Sequence, residues 1–166
     1  MKPMIAIVFV SMLFASHSFA ATQGAHEHGV AQLDIALDKQ FVMLRLESPA
    51  ANIVGFEHQP RTQSDQQTLQ NAKRVFQRQQ VFHFIGNKQC QMEEISIETS
   101  LENSHHDGHA DFVVEYRFSC ATDQISGIRT DLFELFPGIE NVRVQFIKGT
   151  LQGASRLTRT KPTVEF

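Results

Sequence analysis

Tryptophan is missing from this 166-residue chain, tyrosine occurs once and cysteine only twice. Lysine and arginine, 15 against 18 acidic residues, form no block, and the formal net charge is −3. A nucleic-acid ligand, which demands a concentrated basic face, is therefore not expected. Beyond the first twenty residues no stretch approaches the roughly 20 apolar residues a membrane-spanning helix needs. HExxH, GxGxxG and Walker patterns are lacking, and Ser48, Ser96 and Ser155 stand outside any GxSxG context. The common signatures of metalloproteases, nucleotide-binding proteins and serine hydrolases are thus all absent. Cys90 and Cys120 lie too far apart for a CxxC redox or zinc motif. In contrast, fourteen phenylalanines predict a phenylalanine-rich interior.

The amino terminus sets the compartment. Lys2 gives a short positive start, residues 4–14 (MIAIVFVSMLF) an apolar run, and Ser18-Phe19-Ala20 a small-x-small cleavage pattern. These features predict a signal peptide over residues 1–20, cut after Ala20, and an exported domain over 21–166. No cysteine follows the cut to accept a lipid, so the mature protein is expected to be soluble in the periplasm. In that oxidising compartment the even pair Cys90 and Cys120 reads as a disulfide.

Apolar alternation predicts strands at 30–37 and 41–48 around a turn at Asp38-Lys39-Gln40. Residues 50–60 read as irregular. Ser64 is the expected N-cap of a helix running to about Phe82, with Gln67 completing a capping box and Leu69, Ala72, Val75 and Phe76 on one face. Residues 89–99 and 111–120 read as a long hairpin with the cysteines at its base. Opposing Cys90 to Cys120 puts Ile95 and Ile97 on the face opposite Phe112, Val114, Tyr116 and Phe118. Either both faces are buried or a bulge shifts the register. A short helix at 131–136, capped by Asp123 or Thr130 and stopped by Pro137-Gly138, precedes strands at 141–148 and 151–158. The expected class is α+β: one domain with a mostly antiparallel sheet, one main helix and a short second helix.

Histidine carries the chemical signal. His26 and His28 flank Glu27, while His105, His106 and His109 crowd the hairpin tip beside Asp107 and Asp111. Neutral imidazole binds Zn(II), Cu(II) and Ni(II), and carboxylates complete tetrahedral zinc sites. In an extended segment His-x-His projects both rings to one side, so His26 and His28 are candidates to share an ion. The plainer alternatives are a solvated leader and a polar loop. His58, beside a proline turn, reads on its own as a hydrogen-bonded structural residue, and His83, between Phe82 and Phe84, as a core or edge histidine.

The stretches HEHGVAQL (26–33), LESPAANIVGFEH (46–58), HADF (109–112), YRFSC (116–120) and LFELFPG (132–138) resemble the ZrgA-like zinc-regulated periplasmic proteins. The likeness spans nearly the whole mature chain. It implies a zinc-binding accessory to high-affinity zinc import, working beside an ABC-type zinc importer and its solute-binding protein, with no catalysis. It also raises His58 to a candidate ligand. Family members typically carry a long central His/acid run, reduced here to residues 104–109. The expected metal ligands are thus His26, His28, His58, His105, His106, His109 and Asp111, and the expected ion is zinc, with copper or nickel compatible with the same ligands. Two rivals differ in kind: a zinc-dependent hydrolase using Glu57 as general base, and a structural or interaction module with incidental histidines.

Overall fold

The structure, a computed structural model, describes residues 27–78, 81–86, 89–102 and 110–166. The expected signal peptide, residues 1–20, lies outside them. Nine strands and three helices are formed by these residues: β1 (Val30–Asp38), β2 (Phe41–Pro49), α1 (Ala50–Val54), α2 (Gln63–Phe76), β3 (Phe82–Ile85), β4 (Gln91–Thr99), β5 (Asp111–Ser119), β6 (Gly127–Thr130), α3 (Leu132–Leu135), β7 (Asn141–Lys148), β8 (Leu151–Thr158) and β9 (Thr163–Glu165).

The expected α+β architecture is what forms. Six strands make one sheet in the order β4-β5-β2-β1-β7-β8, and β3-β6-β9 make a second, smaller one. Every pairing is antiparallel except β1 with β7, which is parallel. Strand alternation decides which face is buried. Leu33, Ile35 and Leu37 of β1 lie opposite Leu46, Leu44 and Val42 of β2, and all six are buried. Phe112, Val114, Tyr116 and Phe118 continue that face on β5, and Val142 and Val144 on β7. The alternate residues face outward.

Against the inner face pack α2 through Leu69, Ala72 and Phe76, the small sheet through Phe82, Ile128 and Val164, and α3 through Leu132 and Phe133. The phenylalanines supply much of this layer. Phe76 stacks on Phe136 with ring centroids 4.5 Å apart, and Phe82 meets Tyr116 edge-on at 5.4 Å. Phe84 meets Phe118 in the same way at 4.9 Å. Each buried ring contributes about 1.5–3 kcal/mol through removal of apolar surface from water.

A bulge resolves the tension in the β4–β5 register. Met92 opposes Phe118, yet Glu94 opposes Arg117, so Glu93 is the extra residue. Past it, Ile95 faces Tyr116 and Ile97 faces Val114, and the apolar residues of both strands share the inner face. Cys90 and Cys120 form a disulfide at the base of this hairpin, as expected.

Three local expectations differ. The main helix begins after Thr62, not Ser64. The Thr62 hydroxyl accepts from Asp65 N–H at 3.1 Å, and the Asp65 carboxylate accepts from Thr62 N–H at 3.0 Å. A carboxylate at the third helical position, two residues closer to the cap than Gln67, accepts those amide protons better, because it is charged and sits over the helix N-terminus. These same amide hydrogen bonds hold the Asp65 carboxyl below its ordinary pKa. The helix also stops at Phe76, and Phe82 belongs to β3, whose pairing with β6 uses the backbone groups a longer helix would have consumed. Residues 50–54, read as irregular, make the short helix α1, terminated by left-handed Gly55 at φ 83°. At α3 it is Thr130 whose hydroxyl accepts from Leu132 N–H, at 3.1 Å, whereas Asp123 lies in a separate 3-10 turn.

Candidate metal centre

One end of the large sheet collects the segments that carry the candidate ligands. There Val30 pairs with Asn141, Pro49 with Asp111, and Thr99 sits opposite Phe112. The leader therefore enters, α1 leaves β2, and the hairpin of β4 and β5 opens towards its tip, all at the same end. The disulfide and the Asp38-Lys39-Gln40 turn lie at the other, where Cys120 N–H donates to Gln40 C=O at 2.9 Å.

His28 is exposed and occupies a turn closed by Val30 N–H donating to Glu27 C=O at 3.0 Å. Gly29 follows at φ 80°, the left-handed value required at the third position of a type II turn. Since His28 is in a turn, the strand alternation that would align its ring with that of His26 does not extend to this residue. Glu27 forms an ion pair with Arg143 on β7.

His58 follows α1 and is exposed. Its Nδ1 lies 3.0 Å from the Gln59 carbonyl oxygen, and its ring stacks on Phe56 at 4.8 Å. A carbonyl only accepts, so Nδ1 carries the proton and donates. That tautomer leaves the Nε2 lone pair as the ligand atom, and the carbonyl fixes the ring orientation as outer-shell partners of metal-bound histidines do. Asp111 opens β5 half-buried, its N–H donating to Ser100 Oγ at 3.1 Å.

His26, His105, His106 and His109 lie outside the described residues. Among the described residues, no three His, Cys, Asp or Glu side chains come together as a metal-holding group. His28, His58 and Asp111 are thus separate candidates, of which His28 and Asp111 lie at the same end of the sheet.

His83 is an edge histidine, as one of its two sequence readings had it. It sits on β3 with Nε2 2.7 Å from Asp131 Oδ2, and Arg129 pairs with the same carboxylate. Burial raises the Asp131 pKa, but the His83 hydrogen bond and the charges of His83 and Arg129 outweigh it and leave the group below its ordinary value. An open trough of about 900 Å³ lies on the outer face of the large sheet, lined by Asp34, Met43, Arg45, Glu115 and Ile147 among others. No histidine lines it, and neither does Glu57.

The model of the ZrgA family of zinc uptake proteins matches residues 25–166. The chain belongs to the ZrgA family. The match takes in the whole described fold, both histidine clusters and His58. No curated protein matches the chain. Of the three histidines among the described residues, His28 and His58 fall on the leader and after α1, and His83 lies on β3.

Sequence reasoning gave no individual role to Asn52, which sits in the SPAANIVGFEH stretch. It is 5% exposed and hydrogen-bonded to the leader. A polar residue in an otherwise apolar AANIV run was the available signal.

Proposed function

We propose that this chain is a periplasmic zinc-capture protein of the import system, holding zinc through histidines with carboxylate support and handing it on without catalysing a reaction. What supports this reading is that the described residues next to three histidine-bearing segments, Val30 after the leader, Pro49 before α1, and Thr99 and Asp111 on either side of the hairpin loop, lie at one end of the sheet. The leader brings His26 and His28, the segment after α1 brings His58, and the β4–β5 hairpin brings His105, His106 and His109 with Asp111. Neutral imidazole and carboxylate are the donors zinc prefers, and a set drawn from a leader, a turn and a hairpin can be released one ligand at a time. That suits transfer better than permanent structural holding. The receiver is the ABC-type importer or its solute-binding protein.

Calorimetric titration of zinc into the mature chain and into a His105/His106/His109→Ala variant tests the assignment. Micromolar or tighter uptake by the wild type, weakened in the variant, is expected. Unchanged stoichiometry and affinity in the variant would remove the hairpin from the site. Competition with copper or nickel shows which ion the ligands favour.

A further inference from the structure

The short helix α1 ties together all three segments of that end. Ala50 N–H donates to Ala110 C=O at 2.7 Å, which joins the helix start to the returning arm of the hairpin. Gly55 turns its other end towards His58. Between them Asn52 reaches the leader. Its Oδ1 accepts from Gly29 N–H at 2.8 Å, and its Nδ2 donates to Val30 C=O at 3.1 Å and to Ser48 Oγ at 3.2 Å.

The grip on the leader is two-sided. Gly29 C=O accepts from Glu140 N–H at 2.8 Å and from Asn141 N–H at 2.9 Å, while its N–H is held by Asn52. The helix itself is seated closely: a Cβ at Gly138 would come within 2.5 Å of the Asn52 carbonyl oxygen. The residue following His28 is therefore fixed in height and direction by a buried amide. A primary amide offers donor and acceptor together, as a neighbouring strand would. Aspartate lacks the donor and alanine lacks both.

Resting on the zinc-capture reading above, we propose that Asn52 is the positioning residue that registers the histidine leader against the His58 segment, setting zinc affinity without touching the ion. Outer-shell groups that orient ligands typically change metal affinity tenfold to a hundredfold when removed. Ser48 supplies the control, because Ser48→Ala deletes a buried hydrogen bond to the same amide but leaves both bonds from Asn52 to the leader.

The test is calorimetry with zinc alone on the wild type, Asn52→Ala, Asn52→Asp and Ser48→Ala, with hydrogen exchange at the Gly29 amide. Both Asn52 variants are expected to bind zinc about tenfold to a hundredfold more weakly, with faster Gly29 exchange in Asn52→Ala, which alone loses the acceptor for that amide, and Ser48→Ala to stay within about twofold of wild type. Wild-type affinity in a folded Asn52 variant overturns the inference, as does an equal loss in Ser48→Ala. Should Asn52→Ala fail to fold, the nearly isosteric Asn52→Asp carries the affinity comparison. In the wild type, zinc is also expected to slow Gly29 exchange, and no change there would overturn the positioning role while leaving zinc capture intact. Absence of zinc uptake by the wild type would instead overturn the capture reading, and this inference with it.

Discussion

Replacing both cysteines by alanine should destabilise the fold without touching zinc uptake. The bond joins residues 30 apart in sequence. Cross-linking a loop of that length removes about 12 cal/mol/K of chain entropy from the unfolded state, or about 3.6 kcal/mol at 25 °C. Strand β4 has particular need of that restraint, being an edge strand paired only to β5 and interrupted by the Glu93 bulge. At roughly 2–4 °C per kcal/mol for a chain of this size, the melting midpoint should fall by about 7–14 °C. Urea unfolding of Cys90→Ala/Cys120→Ala followed by circular dichroism measures the loss directly. The slope of free energy against urea should also steepen, because the uncrosslinked unfolded chain exposes more surface. Zinc affinity should stay within about twofold, since the disulfide and the candidate centre sit at opposite ends of the sheet. A loss below about 1 kcal/mol would refute the reasoning, because it would mean that the cross-link does little to restrict the unfolded chain.

Zinc affinity should fall as pH drops through about 6.5, where imidazoles protonate and cease to be ligands, and titrations at pH 7.5 and 5.5 read this directly. Asp131, held below its ordinary pKa when folded, contributes stability that is complete above about pH 4 and is lost as pH falls through its lower folded value. Asp131→Asn should accordingly flatten the acid limb of a stability-versus-pH curve and leave the neutral zinc titration unchanged. Gly138→Ala forces a methyl group against the Asn52 carbonyl oxygen, 2.5 Å away, so α1 must shift; a loss of about 1–3 kcal/mol by urea unfolding and a weaker zinc isotherm are expected.

Local alternation was enough to read β1, β2 and β7, because each has a wetter and a drier face, whereas β8, with only Leu157 buried, was read from the turn at Gly149. It was also enough to raise the β4–β5 conflict, though not to place the extra residue at Glu93, since Met92-Glu93-Glu94 offers no local cue to which acid is unpaired. The second sheet escaped because β3, β6 and β9 are three or four residues long, below the length at which a period of two can be distinguished. Its Phe82 instead extended the apolar spacing of α2. The parallel contact of β1 with β7 was likewise invisible, being a pairing of distant segments with no turn between them to signal it. At the candidate centre the histidines announce themselves by type and crowding. That the described residues next to their segments share one end depends on sheet order, and Asn52 acts through hydrogen bonds to distant backbone, for which no residue pattern exists.

The parallel pairing of residues 30–37 with 141–148 also bears on the order in which the molecule is assembled. A chain emerging amino terminus first makes β1 early, but half of that strand's backbone partners arrive only when synthesis is nearly finished. Until then the centre of the sheet carries an unpaired edge rich in leucine and isoleucine, the kind of surface that associates with other chains. Closure of the large sheet is consequently a late and long-range event, which slows folding relative to a sheet built from neighbouring strands alone.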